Sequence, residues 1–377
     1  MRTKSYDVVI LGAGIAGASL AAMLADERKV VIIELEDHPG RHATGRSAAM
    51  FAETYGNGTI RALTRASRQF LLSPPSGFAE TPLLSPRPAL FVCDAARADR
   101  LDREEASAPD VYRRVSGEEA RAIVPILRSD WCAAGLLDGS GFDIDVAALL
   151  QGFLKAAKRD GAALALGARE TRIARHGAEW VIATAQGDFA APVLVNATGA
   201  WGDETARAAG VAPVGLQPKR RTAMTFAAPE GLDIRAWPLV IDIDEEFYFK
   251  PDAGRILLSP ANEDPEAPCD AAPVDLDIAI AVDRFERATI HSVRRIDHRW
   301  AGLRTFAADR SPVIGFDPNA EGFFWLVGQG GYGIQTAPAA ARAAASMILG
   351  RPLPVDIARE GVTAKDLAPD RAGLRLR

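Results

Sequence analysis

Val8-Val9-Ile10-Leu11-Gly12-Ala13-Gly14-Ile15-Ala16-Gly17 decides the fold: four apolar residues of strand type run straight into closely spaced glycines. Ala18-Ser19-Leu20-Ala21-Ala22-Met23-Leu24-Ala25 then predicts a helix, and Val30-Val31-Ile32-Ile33 predicts a second buried strand that ends at Glu34-Leu35. A strand, a GxGxxG turn, a helix and a strand, with an acid twenty positions after Gly14, form a dinucleotide-binding unit. Each part has a physical reason. Gly12 permits the tight turn, Gly14 lets backbone approach a pyrophosphate, and Gly17 lets helix and strand pack closely. The helix start at Ile15-Ala16 offers free N–H groups and a positive dipole end to phosphate. Glu34 is placed to accept bonds from ribose hydroxyls, and its charge would repel a 2′-phosphate.

The chain has 377 residues, enough for two domains or one large one. Its formal charge is −5 and no long basic stretch occurs, which argues against nucleic acid as a partner. Cys93, Cys132 and Cys269 are far apart and lack metal-ligand spacing, so buried thiols in a reducing compartment are expected and no metal is. The polar start Met1-Arg2-Thr3-Lys4-Ser5-Tyr6-Asp7 has no signal-peptide character, and no apolar run suits an integral membrane segment. A cytoplasmic location is the expectation, with peripheral membrane attachment left open.

Downstream, Arg41-His42-Ala43-Thr44-Gly45-Arg46-Ser47-Ala48-Ala49 reads either as an ordinary loop or as a cover over the nucleotide, with Arg46 and Ser47 as donors. His42 by itself reads as a solvated loop residue. Helical spacing runs from Ile60 to Leu72 and from Val146 to Lys158; Leu83 to Pro88 reads as a rigid extended connector, and Ala89-Leu90-Phe91-Val92 as a strand. Ser116-Gly117-Glu118-Glu119 is a capping-box pattern. Pro192 to Asn196 predicts a buried strand that breaks at Ala197-Thr198-Gly199-Ala200-Trp201, and Phe247 to Leu258 predicts a hairpin. A second strand–glycine turn–helix unit closes the pattern: Gly322 to Val327, then Gly328-Gln329-Gly330-Gly331-Tyr332-Gly333, then a helix from Ile334-Gln335-Thr336. A simple αβ turn accounts for one glycine there, not for four in six residues.

Together these segments resemble the FAD-dependent D-amino-acid oxidase/dehydrogenase family, which includes glycine and sarcosine oxidases. The seven ordered stretches HATGRSAA (42–49), PPSGF (74–78), PLLSPRP (82–88), GLQPKRR (215–221), FYFKPDAG (247–254), WAGLRTF (300–306) and AEGFFW (320–325) are most similar to its bacterial D-arginine dehydrogenases. The resemblance implies an α/β fold: a Rossmann-like, glutathione-reductase-type FAD domain over 1–84, 146–214 and 302–377. A substrate domain on an antiparallel sheet would take 85–145 and 215–301. It implies non-covalent FAD against Gly12, Gly14, Ile15, Ala16, Gly17, Glu34, Leu35, Arg41, His42, Thr44, Arg46, Ser47, Ala48, Ala197, Thr198, Gly199, Trp201, Gly302, Arg304, Gly330, Gly331, Tyr332, Gly333, Ile334, Gln335 and Thr336.

By the same resemblance Arg221, Tyr248 and Arg304 hold a substrate carboxylate, the Gly331 carbonyl receives the amine, and Tyr55 matches a lid tyrosine. An exposed loop tyrosine is the other reading of Tyr55. Two positions depart from the D-arginine dehydrogenases: Met50 replaces an active-site histidine, and Ala89 replaces the glutamate that pairs with a guanidinium side chain. Losing a charge-assisted bond of about 1.5–3 kcal/mol disfavours a cationic substrate. The implied reaction is oxidative deamination of a neutral or apolar D-amino acid by hydride transfer from the α-carbon. A secondary amine such as sarcosine, or a 2-hydroxy acid, is the alternative substrate class. The electron acceptor (a quinone, an electron-transfer protein or oxygen) is left open.

Overall fold

Strands Val8–Leu11 and Val30–Ile33 are buried along their whole length, as continuous β-branched runs require when both faces of a sheet are covered. The computed structural model describes residues 3–374. It places these two strands inside a six-stranded sheet in the order Ala163–Ala165, Val30–Ile33, Val8–Leu11, Val193–Asn196, Phe323–Val327, Val313–Phe316. The first five are mutually parallel and the last is antiparallel.

Chain order reverses beside Val8–Leu11, whose neighbours are the strands ending at Ile33 and Asn196. Such a switch point opens a crevice beyond the carboxyl ends of the strands. Register sharpens it: Leu11 pairs with Asn196, which pairs with Trp325, so the turns after these strands emerge at one level. Helices Ile15–Leu24, Val146–Arg159, Gly333–Ile348 and Gly58–Leu72 cover one face of the sheet. A four-stranded sheet bearing Trp180, Ile182 and Phe189 covers the other.

The second large sheet runs Gln329–Gly330, Ile296–Phe306, Gln217–Ala227, Arg255–Ser259, Tyr248–Asp252, Leu239–Asp242, Ala89–Cys93, Ala134–Asp138, Tyr112–Ser116. All its pairings are antiparallel except Leu239–Asp242 against Ala89–Cys93. One face of Gln217–Ala227 carries Met224 and Phe226 into a core completed by Phe249, Phe285 and Ile256. Residues two apart share a face, so Lys219 and Arg221 lie opposite that core. The pairs Lys219–Arg304 and Arg221–Gly302 put Arg304 beside Arg221 on the same face.

Two expectations change. Leu84–Pro86, expected as a bare connector, is a short strand paired with Phe142–Ile144 in a three-stranded sheet with Met50–Phe51. The boundary expected at residue 302 falls inside the strand Ile296–Phe306, because its hydrogen bonds to Gln217–Ala227 continue through Phe306. The expected capping box is present, with Ser116 Oγ accepting from Glu119 N–H and Glu119 from Ser116 N–H. Among the described residues no helix is long and apolar enough to cross a membrane.

Candidate active site

A cleft of about 420 Å³ opens at the switch point and runs to the charged face of the antiparallel sheet. Its nucleotide-binding end is shaped by backbone. Gly12 sits at φ +101°, and a Cβ there would stand 2.6 Å from the Ala197 carbonyl oxygen. At Gly17 an added Cβ would lie 2.0 Å from the Gly12 oxygen, so this glycine serves helix–strand packing and does not face the cleft. Gly14 begins the helix Ile15–Leu24 without any side-chain cap, and the helix Gly333–Ile348 likewise starts uncapped at Tyr332. Thr44 takes the first N–H of the helix Ile15–Leu24, but neither helix is capped by its own N-cap side chain, so two positive helix ends border one cleft.

Glu34 accepts from Ala13 N–H at 2.6 Å and from Glu36 N–H at 3.0 Å, which fixes its carboxylate at the rim beside Leu35. Thr44 Oγ1 accepts from Ile15 N–H at 3.0 Å. Ala16, Ser47, Ala48, Thr198 and Gly199 also line the cleft. This cradle of glycine backbone, uncapped helix starts and a fixed ribose-side carboxylate fits a dinucleotide such as FAD.

The loop donors behave differently from expectation. Arg46 Nη1 donates to the carbonyls of Ala271 and Ala301, each at 2.9 Å, and its Nη2 pairs with Asp270. Arg41 reaches Asp270 at 3.3 Å and Glu36 at 3.5 Å. Both arginines line the cleft, and these bonds tie the loop to Asp270 and Ala271, to Ala301 and to Glu36. His42 bonds Glu36 at 2.8 Å and tilts against the Trp201 ring at 4.7 Å, so it is a wall residue and not a solvated one.

Three further expected contacts turn away from the cleft. Gln335 accepts from Ala52 N–H and donates to Thr64 Oγ1, and the Thr336 hydroxyl donates to the Tyr332 carbonyl. Both are buried because the helix Gly333–Ile348 packs that face on Gly58–Leu72. The Tyr332 ring packs between Tyr55 and Phe306. Gly330, Gly331, Gly333 and Ile334 do line the cleft.

At the other end Arg221, Tyr248 and Arg304 come together in the same cleft. Arg221 Nε donates to the Asn262 carbonyl at 2.7 Å, and its Nη2 faces Glu263 at 3.5 Å. Arg304 Nη1 donates to the Tyr55 hydroxyl at 3.2 Å, and Arg304 makes no ion pair among the described residues. A Cβ on Gly331 would lie 2.8 Å from Arg304 Nη1, so the glycine lets the guanidinium lie under the turn. Gly302 does the same service against Arg46, at 3.3 Å.

Burial and the neighbouring Arg304 lower the Arg221 pKa, whereas that of Arg304 is raised because the tyrosine oxygens outweigh burial. Burial would raise the Tyr248 phenol, but Arg304 and Arg221 beside it lower it. Two guanidiniums and a phenol in one pocket have the donor chemistry to take a carboxylate. Neither Met50 nor Ala89 lines the cleft; Ala89 is 3% exposed between Leu239 and Asp138 in the sheet.

Sequence reasoning missed Cys269, Asp270 and Ala271, which wall the cleft or anchor its loop, and Glu263 and Arg310 behind the guanidiniums. These residues lie in irregular loops without periodicity. The dense acids of Asn262-Glu263-Asp264-Pro265-Glu266 were the one available signal.

A family model described as FAD dependent oxidoreductase (DAO) matches residues 7–347. The uncharacterized oxidoreductase YurR of Bacillus subtilis (strain 168) is 24% identical, covering 94% of this chain and 97% of its own. Glycine oxidase of Bacillus licheniformis is also 24% identical, covering 93% and 95%. The crystal structure of glycine oxidase from Geobacillus kaustophilus superposes with a TM-score of 0.84 at 21% identity over 100% of both chains, a likeness of fold.

Proposed function

The chain belongs to the DAO family of FAD-dependent oxidoreductases, and from that premise we propose that it deaminates a D-amino acid with a neutral or apolar side chain. The products are an imino acid, which water converts to a 2-oxo acid, and ammonia. One observation carries the reading: Arg304, without an ion-pair partner among the described residues, shares a cleft face with Arg221 and Tyr248, and that cleft continues to the glycine turns.

Arg221 and Arg304 bind the carboxylate through charge-assisted bonds and Tyr248 adds a third donor. By the resemblance, the carbonyl of Gly331, which lines the cleft, would accept from the amine. FAD, when bound, supplies the two-electron acceptor for the α-hydrogen. Gly12, Gly14, Ile15, Ala16, Glu34 and Leu35 would hold its nucleotide half, and Gly330 to Ile334 with Ala197 to Gly199 would border the rest. Orientation of the substrate supplies the rate that a general base would otherwise have to provide.

The D configuration rests on the resemblance of the seven sequence segments, and so does the side-chain preference: Met50 and Ala89 stand where that resemblance expects a histidine and a glutamate, although neither lines the cleft. A basic side chain is the second reading, and Glu245 favours it. This residue holds a left-handed backbone (φ +54°) on the turn before Tyr248. Solvent reaches its side chain, yet the surrounding protein raises its carboxyl while Arg221 and Arg304 pull it down, which places its charge within their field. Anaerobic mixing of the yellow holoenzyme with D- and L-amino acids, sarcosine and 2-hydroxy acids, scored by flavin bleaching and kcat/KM, decides among these. Neutral D-amino acids should lead; D-arginine at the head would replace the first reading with the second. Reoxidation of the bleached enzyme by oxygen, a quinone or an electron-transfer protein identifies the acceptor.

A further inference from the structure

Behind the two guanidiniums lies a connected set of charged and aromatic groups. Glu263 takes Arg310 as a two-pronged partner, Nη1 to Oε2 at 2.9 Å and Nη2 to Oε1 at 2.8 Å. The same carboxylate accepts from Lys219 Nζ at 3.0 Å and faces Arg221 Nη2 at 3.5 Å. Arg310 lies 4.0 Å over the Phe306 ring and adjoins Tyr332. Tyr332 meets the Tyr55 ring edge-on at 4.8 Å, and the Tyr55 hydroxyl accepts from Arg304. A continuous path thus runs from Arg221 through Glu263, Arg310, Tyr332 and Tyr55 to Arg304.

We propose that Glu263 and Arg310 form a brace that sets the spacing and aim of Arg221 and Arg304. They are positioning residues and touch no substrate. The proposal rests on the reading of Arg221 and Arg304 as a carboxylate clamp. Three features favour a brace over an ordinary surface ion pair. Solvent reaches both side chains, Glu263 being 27% and Arg310 41% exposed, so the pair adds little to stability. What it supplies is geometry, because a two-pronged guanidinium–carboxylate pair fixes orientation as well as distance. Both partners also hang from held, left-handed backbone at non-glycine residues: Arg310 itself at φ +61°, in a turn closed by its N–H on Ala307, and Ala261 at φ +51° just before Glu263. Such conformations persist only where the surroundings hold them.

Charge and geometry predict opposite signs. As a mere counter-ion, Glu263 weakens the pull of Arg221 on an anion, so removing its charge would tighten carboxylate binding. As a brace, its loss frees Arg221 and Arg310 and weakens binding. The probe is benzoate, titrated into the FAD-loaded enzyme and followed by the flavin absorbance. In Glu263→Gln the Kd for benzoate should rise at least tenfold and the substrate KM with it, while kcat changes less than threefold and FAD content and Tm are kept. An unchanged or tighter Kd in FAD-loaded Glu263→Gln overturns the brace. Should that variant not load FAD, Arg310→Lys keeps the charge and removes the fork; it should weaken benzoate at least threefold, and an unchanged Kd overturns the brace equally. Arg304→Lys separates the two layers of the argument. Weakened benzoate there with a normal Glu263→Gln leaves the clamp standing and ends the brace. Normal binding in Arg304→Lys ends the clamp reading and the brace with it.

Discussion

The two ends of the cleft are built from different physics. At the nucleotide-binding end the decisive atoms are main chain: Gly12 and Gly17 leave no room for a Cβ, and two helices start without an N-cap side chain. At the other end, where we propose that substrate binds, the decisive atoms are side-chain guanidiniums and a phenol, carried on strands far apart in sequence and aligned by antiparallel register. Backbone shape tolerates almost no change at its key positions, whereas a charged side chain can be removed while the fold stands. A substitution at the first end should therefore cost folded protein, and one at the second should cost binding.

The strongest way to break that contrast is Gly17→Ala. Its Cβ would meet the Gly12 oxygen at 2.0 Å, a backbone clash that neither element can relieve cheaply. A loss of about 3 kcal/mol or more is expected, read by thermal unfolding and by failure to retain FAD. A stable yellow variant would remove the close-packing argument. Next comes Arg304→Ala, which should raise the substrate KM about a hundredfold by deleting charge-assisted bonds, with FAD content unchanged. If FAD were lost in step with substrate affinity, the two ends would not be separable.

Acid stability probes the substrate end alone. Burial pushes the Glu263 carboxyl up, but bonds from Arg310 and Lys219 outweigh it and hold it down to about 2, against an ordinary 4.5. A carboxyl depressed by folding contributes stability that is complete above the ordinary value and is lost as pH falls from there through the folded value. Wild-type enzyme should therefore lose stability between those limits that Glu263→Gln does not lose, a difference held to about 1 kcal/mol or less because solvent reaches the pair, measured by urea unfolding at stepped pH. Equal slopes for both proteins would contradict the bonded state of Glu263. A modest effect on binding is expected in Gly331→Ala. Its methyl would press on Arg304 at 2.8 Å, a flexible partner that can shift, so KM should rise about tenfold, or roughly 1.4 kcal/mol, with FAD still bound. An unaltered KM would place Arg304 elsewhere in solution.

The same contrast governs what could be read from sequence. Strands such as Val8–Leu11 and Val30–Ile33 were legible because full burial demands unbroken β-branched runs, and Gly12, Gly14 and Gly17 because only glycine meets their steric demands. The helix Val146–Arg159 was legible because its apolar residues recur on one face. Arg221, Tyr248 and Arg304 stood out only through resemblance, since nothing local in Gln217–Ala227 reports which residue of Ile296–Phe306 lies opposite. The side chains of Gln335 and Thr336 were illegible for a related reason: they follow a glycine turn that borders the cleft, yet their own helix phase points them into the packing against Gly58–Leu72. The wall at 269–271 and the brace at Glu263 and Arg310 come from irregular loops, whose positions are set by long-range ion pairs such as Arg46–Asp270.

The central claim is that a guanidinium clamp holds a substrate carboxylate in the cleft that binds FAD. The most direct measurement is anaerobic stopped-flow reduction of the holoenzyme flavin by its best amino-acid substrate and by the carboxamide of that same compound, which keeps size and amine but not the negative charge. Saturable bleaching by the acid, with at least a hundredfold loss of apparent affinity for the amide, is the expected result. Equal bleaching by both would contradict the clamp.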